Sequence, residues 1–262
     1  MNEPKTIAFV ADLHCGSHYG PWPESWLPSE RGIASRYARE CFESFCAWLP
    51  KKIDWLFLAG DLIDGKARKS KSTGLWSAKL GDQADGAIEI LAPLVKRADK
   101  VFRCDGTPYH EDFEGALDKL DIELGVTKSQ QIMDLELLDG LYLNVAHHPS
   151  SGGVLYKGTA SDKESVWSGV ASNDGTVLDP TWIVRAHKHS FFYQAGRRKR
   201  VCNLPCFKLQ DPYAAKQNYW RYQPDIGGVL MIRDTGPRAD ASGYKIVERL
   251  FDNPIYDNVV EI

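Results

Sequence analysis

The ten residues LFLAGDLIDG, at positions 56–65, determine how the rest of this chain is interpreted. The first four are apolar, which predicts a strand buried on both faces, in a sheet that helices cover. Gly60 allows a sharp turn, and Asp61 is then presented at the carboxyl end of the strand, where open α/β sheets place their ligands. Because an isolated buried carboxylate is too costly, we hypothesise that Asp61 lies between two metal ions.

The composition is that of an ordinary globular protein, since 43% of the 262 residues are hydrophobic and 26% are charged. A formal net charge of -3 gives no reason to expect whole-protein attraction to nucleic acid or to anionic membranes. No apolar run approaches the ~18 residues of a membrane span, and we expect no signal peptide. The six cysteines show no zinc-finger spacing. We therefore expect reduced thiols, a cytoplasmic location and no membrane partner.

Helix and strand patterns alternate in the first half of the chain, and strands dominate the second half. Helices are expected near residues 33–49, 84–95, 114–123 and 162–170, with Pro93 kinking or dividing the second. No linker or internal repeat interrupts the pattern, so residues 1–262 are expected to form a single domain. Strands are expected near residues 5–11, 56–59, 101–104, 135–138, 141–146, 182–186, 191–195, 200–203, 228–233 and 244–250.

Five of the predicted strands end in polar tips, and these tips contain six of the seven histidines, all but His18. Imidazole and carboxylate ligands together suit manganese, zinc, iron, cobalt or nickel better than calcium or magnesium. On an extended backbone the side chains of Asp12 and His14 point the same way, so one ion can bind both. The same reasoning lets His187 and His189 share an ion.

The order of these tips resembles the motifs of the calcineurin-like metallophosphoesterase superfamily: D-x-H, G-D-x-x-D, G-N-H-[ED], a lone H after a strand, and G-H-x-H. The chain has DLH at 12–14, GDLID at 60–64, GTPYHE at 106–111, His147, and AHKH at 186–189. The resemblance covers residues 5 to 195, approximately. It implies a four-layer αββα sandwich, the metallo-dependent phosphatase fold. In that α/β fold two mixed β-sheets pack face to face, helices lie outside, and the metal site is at one end.

The resemblance also implies a set of metal ligands for two divalent ions. Asp64 is expected to orient a ligand rather than to bind metal. Because neighbouring side chains on a strand point to opposite faces, we expect only one of His147 and His148 to bind metal. The resemblance favours His147, since the H-H-P form of the family usually uses the first histidine. Manganese is the expected metal, with iron, zinc, nickel or cobalt as alternatives. The ligands would be Asp12, His14 and His189 for one ion, His147 and His187 for the other, and Asp61 as a bridge between them.

The third motif departs from the family pattern, because the Asn ligand is missing and two additional residues are inserted before the His. This G-T-x-x-H form is similar to a variant among phage-encoded members. Thr107 can supply an oxygen directly or through a water, or His110 can reach the second ion. We prefer His110 as a catalytic residue that binds the phosphate and protonates the leaving oxygen. Asp61 is the other catalytic residue, through its bridging role.

The predicted activity is metal-dependent hydrolysis of a phosphate ester by water bound between two ions. Basic stretches at 66–71 and 197–200 slightly favour a phosphodiesterase or nuclease acting on a nucleic acid or nucleotide, unless they are solvated turns. The alternative is a phosphomonoesterase acting on a protein or small molecule. The alternative of a different class is a non-catalytic binding or scaffold protein on the same fold. A viral protein in the host cytoplasm is compatible with the phage-like motif.

Two groups of aromatic residues are candidates for contacts near the site. Tyr19, Trp22 and Trp26 lie in a loop after the first strand and are expected to form a cleft wall. The aromatic residues between 205 and 227 stack on bases or pack against the second sheet.

Overall fold

The computed structural model describes residues 3–28, 32–66, 72–111, 115–149, 158–173, 175, 177–212, 223–236 and 242–254. Its helices are α1 (Ile33–Trp48), α2 (Leu80–Val95), α3 (Ala116–Glu123) and α4 (Gly158–Asn173), and a short 3-10 helix spans Glu24–Trp26. Its strands are β1 (Thr6–Val10), β2 (Ile53–Leu58), β3 (Ala98–Cys104), β4 (Lys128–Gln130), β5 (Ile132–Leu138), β6 (Leu141–Ala146), β7 (Trp182–Arg185), β8 (Phe192–Ala195), β9 (Arg200–Asn203), β10 (Ile226–Arg233) and β11 (Tyr244–Phe251).

The first sheet has the order β11-β10-β1-β2-β3-β4. Strands β1 to β4 are parallel, whereas β10 and β11 pair antiparallel. Parallel neighbours need a crossover connection, and α1, α2 and α3 provide the three that this sheet requires. Alternate side chains of β2 face opposite sides: Leu56 packs against the helices, and Phe57 packs against the second sheet. The prediction of a strand buried on both faces is confirmed.

The second sheet has the order β5-β6-β7-β9-β8 and is also mixed. It packs on the first sheet through an apolar layer that includes Phe9 and Phe102 from one side and Leu143 and Val184 from the other. Helix α4 lies on the outer face, where Glu164 accepts a hydrogen bond from Arg185 of β7 at 2.9 Å. The predicted four-layer αββα arrangement of two mixed sheets is therefore confirmed.

Several local predictions differ from the structure. Strand β4 was not expected, because its three residues are exposed and carry no apolar pattern. Pro93 does not divide α2, because it lies in the last turn and the helix continues to Val95. None of the described helices combines the length and the low polarity that a membrane crossing requires.

The aromatic loop after β1 does not form the expected cleft wall. Trp22 is only 2% exposed and packs in the core, whereas Trp26 is 42% exposed. Phe207, the one aromatic residue of the 205–227 region in the described part of the chain, is fully buried as a packing residue. Tyr213, Tyr219, Trp220 and Tyr222 lie outside the described residues, as do the basic residues Arg68, Lys69 and Lys71.

The basic turn that joins β8 to β9 is at the wrong end of its sheet to contact a substrate at the polar tips. Arg200 pairs with Trp182 at the start of β7, whereas His187 follows the end of that strand. Lys199 is paired with Asp179, and Arg200 donates to the Gly196 carbonyl. Arg197 and Arg198 are exposed, which agrees with a solvated turn.

Candidate metal centre

The five polar tips meet at one end of the two sheets. Tips after β1, β2 and β3 come from the first sheet, and tips after β6 and β7 come from the second. Two hydrogen bonds join the sheets here: the His187 amide donates to Asp12 Oδ2 at 3.0 Å, and His147 Nδ1 lies 2.7 Å from the Ala59 carbonyl oxygen. The structure thus brings together side chains that are up to 175 residues apart.

One group of potential ligands consists of Asp12, His14 and His189. Nε2 of His189 is 3.2 Å from Nε2 of His14 and 3.2 Å from Oδ1 of Asp12. The third distance, from His14 Nε2 to Asp12 Oδ1, is 3.7 Å. Three lone-pair atoms this close together, from three side chains, can bind one divalent ion.

A second group consists of Asp61, His147 and His187. His147 Nε2 is 3.2 Å from Asp61 Oδ2 and 3.9 Å from Asp12 Oδ1. The two groups are therefore adjacent, and Asp12 Oδ1 faces members of both. Asp61 Oδ1 accepts hydrogen bonds from the amide of Thr107 at 2.6 Å and from its hydroxyl at 3.0 Å, so Thr107 fixes the orientation of Asp61.

These side chains have the unsatisfied atoms that a metal site requires. Asp12 Oδ1 and His147 Nε2 are buried and make no hydrogen bond with the described residues, which is unusual for buried polar atoms. The other polar atom of each side chain is hydrogen-bonded: Asp12 Oδ2 accepts from the His187 amide, and His147 Nδ1 donates to the Ala59 carbonyl. His14 is oriented in the same way, because its Nδ1 is hydrogen-bonded to Asp64 Oδ1 at 2.9 Å. Such outer contacts orient metal ligands, so the residues fit divalent metal.

The backbone at the polar tips is left-handed, not extended as the sequence pattern suggested. Asp12, His14, Asp61, His187 and His189 have φ between 49° and 68°, and Ser72 is the one other non-glycine residue with positive φ in the described part of the chain. The turn at each residue changes where its side chain points. His187 and His189 consequently belong to different groups of potential ligands, an arrangement that an extended backbone did not lead us to expect.

Two glycines permit the close approach of the tips. A Cβ atom on Gly60, whose φ is +87°, would lie 2.5 Å from His147 Nδ1. A Cβ on Gly106 would lie 2.3 Å from Asp61 Oδ1. No larger residue fits at either position without displacing a candidate ligand.

A third group, His14, Asp64 and His110, has metal-like spacing but is held by hydrogen bonds. Asp64 Oδ1 is 3.0 Å from the ammonium nitrogen of Lys208 and contacts His14 Nδ1. The backbone oxygen of Asp64 lies 2.7 Å from His110 Nδ1. The lysine supplies the positive charge that a cation would otherwise bring. Asp64 is therefore placed where it orients both His14 and His110.

The electrostatics of the site favour cation binding. Burial would raise the pKa of Asp12, but His189 and His147 outweigh it and hold that pKa well below its ordinary value. Burial would lower the pKa of His147, but Asp12 and Asp61 raise it to about 9. Burial, with a neighbouring imidazole in each case, lowers the pKa values of His110 and His187 to about 4. The pKa of His189 is raised as well, because Cys206 and Asp12 outweigh its burial. The protons on His147 and His189 are thus the ones that a bound cation would displace.

Two further side chains near the site, His148 and Tyr109, are more exposed than the candidate ligands. His148 is exposed, and its ring centroid lies 4.6 Å from that of His187. Tyr109 is 42% exposed and stands edge-on to His110, with ring centroids 4.9 Å apart. His147, in contrast, is only 1% exposed.

Sequence reasoning missed three residues that hold the tips in place. Glu111 accepts from the amides of Leu62 at 2.9 Å and Gly106 at 2.5 Å, and its place in the third motif was an available signal. Gln83 accepts from the amides of Asp64 and Gly65. Lys208 lies 144 residues from its partner Asp64, and no local pattern indicates that contact.

No family model and no curated protein matches this chain. Among solved structures, Vps29 from Chaetomium thermophilum is 12% identical with a TM-score of 0.48, covering 98% of this chain and 99% of that one. An archaeal phosphodiesterase is 10% identical with a TM-score of 0.44, covering 94% and 99%. Entamoeba histolytica Vps29 in complex with zinc is 12% identical with a TM-score of 0.44, covering 94% and 99%. Support for a function must therefore come from the geometry of the site itself.

Proposed function

We propose that this protein is a metal-dependent phosphoesterase with two metal ions at the polar tips. The observation that carries the proposal is the pair of adjacent ligand groups in which Asp12 Oδ1 and His147 Nε2 are buried without a hydrogen-bond partner among the described residues. Because both sheets contribute to this one site, we treat residues 1–262 as a single domain. Asp12, His14 and His189 would hold one ion, His147 and His187 would hold the other, and Asp61 would contact both.

When bound, two such ions lower the pKa of a shared water and polarise the phosphoryl oxygens. The chain's own residues supply orientation and proton transfer. Thr107 holds Asp61 in place, and Asp64 fixes the ring of His14. His110 donates from Nδ1 to the Asp64 carbonyl, which leaves Nε2 as the nitrogen that contacts the substrate. Burial and the neighbouring His14 lower the pKa of His110, and the negative charge of a bound phosphate would raise it, which would favour a proton on this ring for the leaving oxygen.

A phosphodiester, such as a nucleotide or a nucleic acid, is the first substrate class to test. Because the turn at 197–200 lies at the opposite end of the second sheet, it gives no support for this choice. Of the basic stretch at 66–71, the structure describes Lys66, which closely follows the tip that carries Asp61 and Asp64. A phosphomonoester is the alternative substrate.

A binding or scaffold function is the candidate of a different class, and the surface of α4 favours it. Val166, Trp167 and Val170 recur at helical spacing on this helix, and each is at least 48% exposed. Large exposed apolar patches mark interaction sites more often than isolated apolar residues do.

Manganese is the metal to test first, and a reducing, cytoplasmic setting suits the thiols, in a cell or in the host of a virus. All six cysteines are free, and five of them are buried. Proteins in oxidising compartments more often use their cysteines in disulfides.

The deciding experiment compares hydrolysis of bis-p-nitrophenyl phosphate and p-nitrophenyl phosphate, with added Mn²⁺ and with chelator. We expect Mn²⁺-dependent turnover that Asp61→Asn abolishes. His110→Ala should keep both metal equivalents and lose turnover. Metal binding without turnover of either ester would reject the enzyme and favour the scaffold, whereas loss of a metal equivalent in His110→Ala would reject our role for that residue.

A further inference from the structure

Residues 204–209, which follow β9, pass directly behind the metal centre, and we call them the brace segment. The Phe207 amide donates to the Asp12 carbonyl at 3.2 Å. The Cys206 thiol donates to the Lys208 carbonyl at 3.1 Å and lies beside His189, whose pKa it raises. Lys208 Nζ is 3.0 Å from Asp64 Oδ1. Three of the five polar tips are thus contacted by one segment that carries none of the predicted ligands.

Lys208 has the most unusual environment in this segment. Its side chain is only 8% exposed, and its ammonium lies between two carboxylates, Asp64 Oδ1 and Asp211 Oδ2, each at 3.0 Å. Asp64 Oδ1 also contacts Nδ1 of His14 at 2.9 Å and lies 3.8 Å from Nδ1 of His110. Burying an ammonium is costly unless it is paired, so this geometry fixes the position of Asp64.

We propose that Lys208 is a positioning residue of the metal centre: its ammonium holds Asp64 so that His14 keeps its proton on Nδ1 and presents Nε2 to the metal. The inference rests on the proposed metal centre and adds a residue to it. His14 Nε2 is the atom that lies 3.2 Å from His189 Nε2 and 3.7 Å from Asp12 Oδ1. Turning the ring or moving its proton to Nε2 would remove one of the three ligands of that ion.

The same ammonium makes the group of His14, Asp64 and His110 a poor site for a third ion. Its three ligand atoms have metal-like spacing, but Lys208 already neutralises the only carboxylate among them. A lysine at this position therefore separates two tasks: Asp64 orients imidazoles, and Asp12 and Asp61 face the metals.

The test is Mn²⁺ binding by titration calorimetry in Lys208→Met, which keeps the length of the side chain and removes its charge. We expect one of the two Mn²⁺ ions to bind 10–100-fold more weakly, about the usual effect of removing an outer contact of a ligand. Lys199→Met is the matched control, because Lys199 is also paired with an aspartate but lies at the opposite end of the sheet. The Mn²⁺ affinity of this control variant should equal that of the wild type. Wild-type affinity for both ions in Lys208→Met would overturn the proposal.

A second comparison is needed because Lys208→Met leaves Asp64 buried without its ammonium and can unfold the chain. Asp64→Asn and the double variant Asp64→Asn/Lys208→Met avoid a bare carboxylate beside His14. The double variant also takes the ammonium away from Asp211, whose side chain is more exposed, at 22%. If Lys208 acts through Asp64, the double variant should bind Mn²⁺ as Asp64→Asn does. A further tenfold loss in the double variant would contradict the proposal.

A spectroscopic readout separates positioning from general stability. In ¹⁵N NMR of the zinc-loaded protein, His14 should be the Nδ1-protonated tautomer, and Asp64→Asn should change its ring signals while those of His147 stay the same. Unchanged His14 signals would overturn the inference. Metal binding by the wild type without hydrolysis would reject the phosphoesterase proposal and leave the role of Lys208 intact.

Discussion

At the residue scale, the left-handed backbone at the candidate ligands is the feature that local pattern could not indicate. Asp12, His14, Asp61, His187 and His189 all have positive φ, a conformation that costs of order 1–3 kcal/mol for a non-glycine residue and that clusters at functional sites. Sequence patterns identify left-handed positions mainly through glycine. The types of these side chains pointed to metal chemistry, but their directions depend on long-range contacts such as that between His187 and Asp12.

Gly60→Ala tests the close approach of the tips. The new Cβ would meet His147 Nδ1 at 2.5 Å and Gly106 Cα at 2.8 Å, on a backbone with φ of +87°. We expect a loss of more than about 2 kcal/mol of unfolding free energy, since the left-handed conformation alone costs about 1–2 kcal/mol. Displacement of His147 should also weaken binding of one metal ion. Urea unfolding and metal titration measure the two effects.

Gly74→Ala is the control for this substitution. Gly74 has φ of +90°, but a Cβ added to it would meet no atom within 4 Å. Gly74→Ala should therefore lose only about 1 kcal/mol of unfolding free energy and keep wild-type metal affinity. Equal effects of the two substitutions on stability and on metal binding would show that contact with His147 does not matter.

At the element scale, the strands and helices of the central layers could be predicted from apolar periodicity. Burial determines which residue types occupy each face of these elements, and the sequence pattern records this. Strand β2 and helix α1 are examples: the predicted ranges and the observed ones, Ile53–Leu58 and Ile33–Trp48, differ by a few residues. Strand β4 was missed because it pairs with β3 at the edge through exposed polar residues. The brace segment was missed because the contacts that join it to the polar tips are with residues far away in sequence.

The packing of Trp22 on α2 gives a prediction with an internal control. A Cβ on Gly86 would lie 2.5 Å from Cζ3 of Trp22, a fully packed ring. Gly86→Ala should therefore destabilise the fold by about 1–3 kcal/mol through overpacking, although alanine favours helix. Gly81→Ala, in the first turn of the same helix with no atom within 4 Å, should stabilise it by about 0.5–1 kcal/mol. Thermal unfolding should shift in opposite directions, and a shift in the same direction would contradict this packing.

The start of β1 is fixed to β2 by Asp54, which gives the fold a defined acid sensitivity. Burial alone would raise the pKa of Asp54, but hydrogen bonds from Thr6 and Lys5 outweigh it and lower the pKa. The folded pKa of Asp54 lies below the unfolded value of about 4. The stabilisation of the fold by the ionised carboxylate is therefore complete above about pH 4 and is lost as the pH falls through the folded pKa.

Asp54→Asn should therefore cost about 1 kcal/mol at pH 7, the difference between charged and neutral hydrogen-bond acceptors at a partly exposed site. The cost should shrink as the pH falls below about 4, where the wild-type carboxyl also becomes neutral. Urea unfolding of both proteins between pH 2 and pH 7 measures this difference. A cost that does not depend on pH would mean that the ionised carboxylate is not what stabilises the strand.

At the scale of the whole molecule, the candidate metal centre lies where two sheets meet that are otherwise held mainly by apolar packing. Asp12, His14 and Asp61 follow strands of the first sheet, and His147 and His187 follow strands of the second. The order of the motifs predicted that these residues meet, because the carboxyl ends of parallel strands lie at one edge of a sheet. Which side chains share an ion depended on the approach of the two sheets, and this is a property of the folded molecule.

Metal binding should therefore stabilise the sandwich as a unit. A ligand that binds only the folded chain adds about 2.7 kcal/mol at 100 times its Kd, which for a chain of this size is a rise of about 5–10 °C in Tm. Adding Mn²⁺ should raise Tm by that amount, chelator should reverse the rise, and Asp61→Asn should reduce it. Arg198→Ala, on the exposed turn at the opposite end of the second sheet, should leave the Mn²⁺-induced rise in Tm unchanged.

Hydrogen exchange locates this stabilisation. If one metal centre draws ligands from both sheets, Mn²⁺ should slow amide exchange at the tip that carries Asp61 and also at the tips that carry His147 and His187. The His187 amide is a sensitive reporter, because it donates to Asp12 across the two sheets at 3.0 Å. Protection confined to the tips of β1, β2 and β3 would show that the second sheet supplies no ligand, and the two-metal assignment would then be wrong even if the protein bound one ion.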